Sequence, residues 1–113
     1  MQPDVLLWLE SIRQRIIELD EDVVAEGFEN FSRSRPLQRS AERNIAAIGE
    51  SMKKILRSEP QIMISEARRI VSTRNRLAHE YDDVSHDLLW LILERDIPAL
   101  KKEVEELLRQ HGE

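Results

Sequence analysis

The chain has 113 residues, no cysteine and a formal net charge of −5. A length of this order accommodates one domain with one hydrophobic core, and the lack of cysteine excludes both a disulfide framework and a thiol nucleophile. No apolar run reaches the ~20 residues that a transmembrane helix needs, and the first residues lack the basic and apolar pattern of a signal peptide. We therefore expect a single domain over residues 1–113 that functions in the cytoplasm without a membrane partner.

The charge is distributed unevenly along the chain. Between residues 33 and 76, nine Arg and two Lys are opposed by four Glu, so this segment carries +7 and the remainder −12. Because Arg can bind phosphate through two parallel hydrogen bonds, an Arg-rich pair of neighbouring helices could present a basic surface to a nucleic acid. Solvated helix faces with intrachain ion pairs are the alternative, and composition does not choose between them.

Helix one is predicted over residues 4–26, where apolar residues recur every three or four positions. Gly27 is placed to end it, since glycine is common just beyond helix C-termini. Residues 27–34 are predicted as a turn because they hold turn-forming and capping types. Pro36 then stands at a position that a helix tolerates in its first turn.

Helix two is predicted to continue to about Leu56. Its apolar residues form one stripe, which leaves three charged residues off the core line: Arg39, Arg43 and Glu50. Gly49 costs roughly 1 kcal/mol relative to alanine inside a helix. We therefore expect a close crossing with another helix at Gly49, where the missing side chain would be useful.

Helix three is predicted over residues 62–78, and a polar turn follows over residues 79–87. Ser85 is a suitable N-cap for the next helix. Pro98 disfavours α geometry at the residue before it, so the last helix should either kink there or restart with Asp96 as its cap. No alternation typical of strands occurs, and four or five helices with short connections predict an all-α antiparallel bundle.

Residues 72–81 contain several side chains that could take part in catalysis. They include a guanidinium at Arg74, an amide at Asn75, an imidazole at His79 and the only phenol at Tyr81. An imidazole transfers protons near neutrality and a guanidinium holds a charged phosphate, so this set suits cleavage of RNA through the ribose 2'-hydroxyl. An arginine five positions before a histidine is by itself a weak signal.

The residues around this motif are more specific. The pattern Arg-Asn-x-Leu-Ala-His-x-Tyr at residues 74–81 is preceded by Arg43-Asn44 and Gly49-Glu50, and it is followed by Trp90 and by Asp96-Ile97-Pro98-x-Leu100. In this order and spacing, the set resembles the HEPN superfamily, specifically the HepT-like toxins of prokaryotic toxin–antitoxin pairs. The resemblance extends from about residue 4 to residue 108.

Helix geometry limits how the motif residues can cooperate. Five residues of α-helix turn through about 500°, so positions 74 and 79 lie some 140° apart on one regular helix. Either the helix loosens or ends between them, or two copies of the chain contribute to each site. The second arrangement is what the resemblance implies, because HEPN proteins dimerise through the motif-bearing face, with their motifs facing each other across a cleft.

The resemblance also implies roles for individual residues. His79 would accept the 2'-hydroxyl proton, Arg74 would stabilise the charge on the phosphate, and Asn75 would orient either group or contact the partner subunit. Arg43 and Arg76 are weaker candidates for RNA binding. No metal or other cofactor is expected, and the polar turn at residues 79–87 lacks a His-Glu-x-x-His helix, so a solvated turn is favoured over a metal site.

Tyr81 occupies the position that, in HepT-like toxins with this pattern, a nucleotidyltransferase antitoxin can modify by transferring AMP. The added charge and bulk would obstruct the approach of RNA phosphates to Arg74 and His79. A tyrosine that packs over the helix end is the alternative at this position.

The expected partners are therefore a second copy of the chain, a cognate nucleotidyltransferase antitoxin and an RNA substrate, and the expected activity is that of an endoribonuclease toxin. A non-catalytic helical adaptor that dimerises and binds a nucleotidyltransferase or a nucleotide is the competing hypothesis, because charged surfaces and apolar stripes suit both. Labelled RNA discriminates between them, since an adaptor leaves it whole.

Overall fold

The computed structural model describes residues 1–79 and 85–111, and of residues 77–79 it describes the backbone alone. Six α-helices occur in these ranges: α1 Pro3–Asp22, α2 Gly27–Arg33, α3 Arg35–Ser58, α4 Ala67–His79, α5 His86–Leu91 and α6 Ile97–His111. A 3-10 turn at Val24–Glu26 follows α1, and a π-helical segment at Ile92–Asp96 joins α5 to α6. No strand occurs in these two ranges, and the predicted all-α fold is confirmed.

Four long helical segments pack side by side: α1, α3, α4 and the continuous unit of α5, the π segment and α6. Helix α3 contacts α1 along one side and α4 along another, and α1 also packs against α6. This is the helical bundle that the sequence predicts. Over the ranges that the structure describes, no helix is long and apolar enough to cross a membrane.

The core consists almost entirely of aliphatic side chains. The apolar side chains that α1 and α3 bury belong to the predicted stripes, namely Val5, Leu9, Ile12, Ile16, Leu19, Ala41, Ile45, Ile48, Met52 and Ile55. Burial of each large aliphatic side chain stabilises the fold by roughly 1.5–3 kcal/mol. The periodicity of these two helices therefore predicts both their existence and the side that they bury.

Gly27 has a φ of +82°, a backbone conformation that residues with a side chain rarely adopt. Helix one does stop here, although its α-helical part ends at Asp22 and the last residues form the 3-10 turn. The turn predicted over residues 27–34 is wrong, because α2 occupies Gly27–Arg33. Burial of the Phe31 ring in the core anchors this short helix, which its turn-forming residues would not sustain alone.

Ser34 begins α3 as its N-cap. Its hydroxyl accepts a hydrogen bond of 3.2 Å from the Leu37 backbone N–H, and Pro36 lies in the first turn. The helix ends at Ser58, two residues beyond the predicted end. The sequence therefore locates both ends of α3 closely.

Helix α4 begins at Ala67, five residues later than the sequence predicts. Residues 59–66 form turns instead, and Ile64 is still buried within them. Glu103 of α6 binds Ser65, accepting its backbone N–H at 2.9 Å and its hydroxyl at 3.0 Å. Apolar spacing alone does not reveal this contact, which satisfies a backbone donor that a helix would otherwise use.

The last two helices form one continuous unit through the π-helical segment Ile92–Asp96. Pro98 has no N–H to donate to a preceding turn, and the wider π turn lies directly before it. Ile97 keeps α-helical angles, φ −67° and ψ −44°. A restart capped by Asp96 is therefore wrong, and the distortion lies in the turn before Ile97. The N-cap prediction for Ser85 is confirmed, since its hydroxyl accepts the Asp87 N–H at 3.1 Å.

Candidate functional site

Helices α3 and α4 approach closely where Gly49 meets Arg74. An ideal Cβ at Gly49 would lie 2.1 Å from the Arg74 Cβ and 3.2 Å from the Ile70 carbonyl oxygen. The first distance is far below any van der Waals contact, so only glycine fits without a shift of one helix. The predicted close crossing at Gly49 is confirmed, and it places the base of the Arg74 side chain against the backbone of α3.

Two neighbours hold the Arg74 guanidinium. Its Nη2 lies 2.9 Å from Glu50 Oε2, and its Nη1 donates a hydrogen bond of 3.0 Å to Asn75 Oδ1. Glu50 Oε2 is enclosed but receives no aligned hydrogen bond, so its contact with Arg74 is an ion pair by proximity. The Arg74 side chain is 27% exposed, which leaves part of it accessible to a ligand.

Arg74, Asn75 and Glu50 form a cluster, here called the Arg74 cluster. Glu50 is its one member to which the sequence assigns no function. It precedes Arg74 by 24 positions on a different helix, so only the packing of α3 on α4 brings the two together. The signal that could have identified it is its place off the apolar stripe, directly after a glycine inside a helix. A carboxylate this close to an arginine attracts the guanidinium and favours positions of the side chain near Glu50.

Helix α4 is regular from Ala67 to His79. Positions 74 and 79 therefore differ by about 140° around the axis and by about 7.5 Å along it. The backbone does not loosen or end between these positions, which removes the first of the two arrangements that the sequence leaves open. Tyr81 and the side chain of His79 lie outside the described residues.

The weaker RNA-binding candidates are not brought together. Arg43 is exposed on α3, and seven residues of helix place it in nearly the same direction as Glu50 but about 10 Å away along the axis. Arg76 is exposed on α4, about 160° around the axis from Arg74. Of these two arginines, only Arg43 lies on the same side of its helix as a member of the Arg74 cluster.

Arginine side chains also occur on the other side of α4. A cavity of about 350 Å³, here named the α4 cavity, is lined by Arg69, Ser72, Thr73, Arg76, Leu88, Ile92, Arg95 and Asp96. Asp96 accepts hydrogen bonds from Arg69 Nη2 at 2.8 and 3.0 Å and from Arg95 Nε at 3.2 Å. Sequence reasoning includes Arg76 but misses Arg69 and Arg95, because the π segment that carries Arg95 has no sequence signature of its own.

Among the side chains that the structure describes, no group of three or more acidic or histidine residues could hold a metal ion. Most of the polar turn at residues 79–87 lies outside the described residues. The chemistry that the described site offers is that of a fixed guanidinium with adjacent amide and carboxylate groups.

Comparison with known proteins places the chain in a family. The family model described as "Ribonuclease HepT-like" matches residues 12–107, which include Gly49, Glu50 and the whole 74–81 motif. The chain belongs to the HepT-like ribonuclease family. The resemblance that the motif and its flanking residues indicate is therefore confirmed.

Relatives of this HepT-like chain cover almost its full length. It is 33% identical over 105 residues to "Putative RNase TTE0752" of Caldanaerobacter subterraneus subsp. tengcongensis. This match covers 91% of this chain and 93% of that protein. It is also 33% identical over 104 residues to "Probable ribonuclease HepT" of Thermococcus cleftensis, across 88% of this chain and 92% of that protein. No solved structure matches the chain significantly.

Proposed function

We propose that this HepT-like protein is an endoribonuclease that cleaves RNA through attack by the ribose 2'-hydroxyl. The observation that carries the proposal is the Arg74 guanidinium, which Glu50 and Asn75 hold on a helix that continues to His79. Membership of a ribonuclease family supports the class of activity. The roles of Arg74, Asn75 and His79 are part of the proposal.

In the proposed reaction, His79 removes the proton from the 2'-hydroxyl, whose oxygen then bonds to the adjacent phosphorus. The bond from phosphorus to the 5'-oxygen breaks and this oxygen takes up a proton from water, which leaves a 2',3'-cyclic phosphate and a 5'-hydroxyl. Arg74 donates hydrogen bonds to the phosphate oxygens on which negative charge develops. Side chains supply both steps, so no metal is required, and DNA is not a substrate because it lacks the 2'-hydroxyl.

We further propose that two copies of the chain build each site. The Arg74 side chain packs on α3, whereas position 79 lies about 140° around the same regular helix, so one protomer does not easily present both groups to a single phosphate. A two-fold axis beside α4 would bring Arg74 of one protomer near the partner's His79. The same symmetry would produce two equivalent sites.

The proposed inhibitor is a cognate nucleotidyltransferase antitoxin that joins AMP to Tyr81. The phenolic oxygen would bond to the α-phosphorus of ATP, and pyrophosphate would leave. The new phosphodiester carries a negative charge two residues beyond His79, where it would repel RNA phosphates and occupy Arg74. The support for this step is the position of Tyr81 within the motif that the HepT-like resemblance rests on.

Cleavage of end-labelled RNA by the purified protein tests the proposal. We expect products with cyclic-phosphate ends in the presence of a chelator, and loss of cleavage in His79→Ala and Arg74→Ala with the oligomeric state unchanged. Expression of the wild type should arrest bacterial growth, and both variants should relieve the arrest. Arg13→Ala is the matched control, since Arg13 is a surface arginine ion-paired with Glu10 on α1. Variants that cut RNA as fast as the wild type would refute the assigned roles.

A non-catalytic adaptor is the second candidate, and one observation favours it. Both terminal nitrogens of Arg74 are already engaged within the chain, as they would be in a purely structural arginine. An adaptor leaves labelled RNA whole, and its His79→Ala variant changes only dimerisation or the binding of the nucleotidyltransferase. The RNA assay therefore separates the two candidates directly.

A further inference from the structure

The basic residues of α3 have no ionic partners within the protomer. The helix carries six of them, namely Arg35, Arg39, Arg43, Lys53, Lys54 and Arg57. None of the six forms an ion pair with another residue in the ranges that the structure describes, whereas the ion-paired Lys and Arg residues lie on α1, α4, the π-helical segment and α6. The arginines of the α4 cavity show the contrast, since Arg69 and Arg95 share Asp96.

Four of these six residues share one side of the helix. The four that are exposed and fall within a sector of about 60° around the axis are Arg39, Arg43, Lys54 and Arg57, here called the α3 strip. Glu42 lies about 60° outside this sector. Glu50 lies inside it, but its charge is opposed by that of Arg74. The strip therefore presents a row of positive charge over about 27 Å of helix.

The spacing within the strip is unfavourable for the helix itself. At each end of the strip two positive charges stand three or four residues apart, where like charges are neighbours and destabilise a helix. Helices α1 and α6 use the spacing of three for opposite charges, which pair Glu10 with Arg13 and Glu106 with Arg109. A polyanion bound along the strip would relieve the repulsion that α3 carries.

The strip suits the backbone of RNA better than the surface of a protein. The buried centre of a protein interface is depleted of charged residues and enriched in aromatic ones. Among the residues that the structure describes, the large hydrophobic side chains that are exposed lie outside α3, at Met1, Leu7, Phe28, Met63 and Leu91. A groove or ridge of positive charge that follows a chain of phosphates is the usual way to bind a single strand without regard to its sequence.

The Arg74 cluster lies beside the middle of the strip. Arg74 Nη2 is 2.9 Å from Glu50 Oε2, and Glu50 lies between the two ends of the strip. Along the axis, Glu50 is about 10 Å from Arg43 and about 6 Å from Lys54. A phosphate held by Arg74 would thus have positive charges on both sides of it along α3.

From this juxtaposition we infer that the α3 strip binds the RNA backbone on both sides of the cleaved linkage. Arg39 and Arg43 contact phosphates on one side of it, and Lys54 and Arg57 contact phosphates on the other. The inference rests on the proposed ribonuclease function. It makes the preferred substrate a single strand of several nucleotides, not an isolated linkage.

Equilibrium binding of an RNA that cannot be cleaved tests the strip apart from catalysis. The probe is a fluorescein-labelled single-stranded 2'-O-methyl RNA, followed by fluorescence anisotropy over a range of salt concentrations. Arg39→Gln with Arg43→Gln removes one end of the strip, and Lys54→Gln with Arg57→Gln removes the other. Each double variant should weaken binding by roughly tenfold and reduce the slope of log K against log salt by about 1.4, which is about 0.7 for each lost phosphate contact on a single strand.

The stability of the same variants separates a binding role from a structural one. Because neighbouring like charges repel, both double variants should keep or raise the midpoint of urea denaturation. Glutamine has nearly the same helix propensity as arginine and lysine, so α3 itself should persist. A midpoint that falls together with RNA binding would assign these residues to the fold and overturn the inference.

Two controls isolate the position and the sign of the charges. Arg13→Gln with Arg109→Gln removes the same charge elsewhere, since Arg13 lies about 160° around α1 from Arg15, which contacts α3, and Arg109 lies in the last turn of α6. This control should bind the probe within about twofold of the wild type, because distant surface charges are screened. Lys54→Arg with Arg57→Lys keeps both charges and should bind equally well.

The outcomes distinguish the strip from the activity on which it rests. If the wild type cleaves RNA while both double variants of the strip bind the probe as well as it does, the inference is refuted and the ribonuclease proposal stands. Equal weakening in Arg13→Gln with Arg109→Gln would reveal a general charge effect and would also refute it. Strip variants that bind RNA normally but lose the nucleotidyltransferase would assign the strip to that partner in place of RNA. A wild type that binds the probe through the strip without cleaving RNA supports the inference and overturns the catalytic roles. One that neither binds nor cleaves RNA overturns both proposals.

Discussion

Helix α3 makes two different kinds of contact with its two neighbours. On the α1 side, both helices contribute to a core of leucine and isoleucine side chains, with one long polar contact of 3.4 Å from Arg15 Nη1 to Asn44 Oδ1. On the α4 side, a glycine, a carboxylate and a guanidinium meet at Gly49, Glu50 and Arg74. The first contact buries aliphatic side chains from both helices, and the second combines the burial of Ile70 with the ion pair between Glu50 and Arg74.

This difference implies that substitutions in α3 should separate into two classes. Those in the aliphatic core should lower the free energy of unfolding and leave the activity of each folded molecule intact. Those at the crossing with α4 should change RNA cleavage more than stability.

Ile48→Ala should produce the largest change in stability. Ile48 is fully buried in the core, and removing its side chain should lower the free energy of unfolding by about 2–5 kcal/mol through lost burial and the cavity left behind. Urea denaturation followed by circular dichroism measures this change. Met63→Ala is the control, because Met63 is 79% exposed and should have almost no effect. A similarly small effect for Ile48 would contradict the assignment of this residue to the core.

Gly49→Ala should affect both quantities, with activity the more sensitive. The new Cβ cannot fit at 2.1 Å from the Arg74 Cβ, so α3 and α4 must separate at a cost of roughly 1–3 kcal/mol, partly offset by the higher helix propensity of alanine. Because that shift displaces Arg74 from its position against α3, we expect RNA cleavage to fall by roughly a hundredfold. Cleavage rates measured on protein shown to be folded separate the two effects.

Gly27→Ala is the matched control for this glycine. Nothing lies within 4 Å of a Cβ at Gly27, but its φ of +82° strains any residue with a side chain. The substitution should therefore cost about 1–3 kcal/mol of stability while leaving RNA cleavage unchanged. Equal losses of cleavage at the two glycines would show that Gly49 has no special relation to the site.

Different parts of this molecule follow from sequence to different degrees. The apolar spacing of α1 and α3 locates both helices and their buried sides, and Gly49 in a helix interior correctly indicates a close crossing. The start of α4 and the existence of α2 are not predicted, because tertiary contacts of Ser65 and Phe31 override local preference. The pairing of Glu50 with Arg74 depends on the packing of two helices, so a single sequence does not specify it.

Glu50→Gln tests the part of the site that the sequence does not reveal. Glutamine keeps the size of the side chain but removes the charge that holds Arg74 Nη2, so the guanidinium should sample more orientations. We expect kcat to fall by about tenfold, equivalent to about 1.4 kcal/mol, with no rise in KM because a negative charge near the RNA has been removed. Glu42→Gln on the same helix is the control. A higher kcat would indicate that Glu50 competes with the phosphate instead of positioning Arg74.

Ser34→Ala should have a smaller effect on stability, and it changes neither the contact of α3 with α1 nor its contact with α4. The Ser34 hydroxyl caps the helix at the Leu37 N–H, and its loss should cost about 1 kcal/mol in unfolding free energy. Since the cap lies at the end of α3 remote in sequence from Gly49, cleavage by the folded protein should not change. Thermal denaturation and the RNA assay together check both statements.

The smallest effect is expected at an ion pair outside both contacts. Hydrogen bonds from Arg109 and Gln110 lower the pKa of Glu106 from 4.5 to about 2. A lowered folded-state pKa contributes stability above pH 4.5 that is lost as the pH falls toward 2, and the contribution is small here because the pair is exposed.

Arg109→Gln should return the Glu106 pKa toward 4.5, as measured by NMR titration of the carboxyl carbon. It should leave cleavage unchanged near neutral pH, because Glu106 is ionised there in both proteins and belongs to neither contact of α3. If the Glu106 pKa stays near 2 in this variant, Gln110 and not Arg109 dominates the shift. A change in cleavage would be the more serious result. It would mean that the far end of α6 influences the site although it belongs to neither contact of α3. The difference between the two contacts of α3 would then not be enough to explain how Arg74 is positioned.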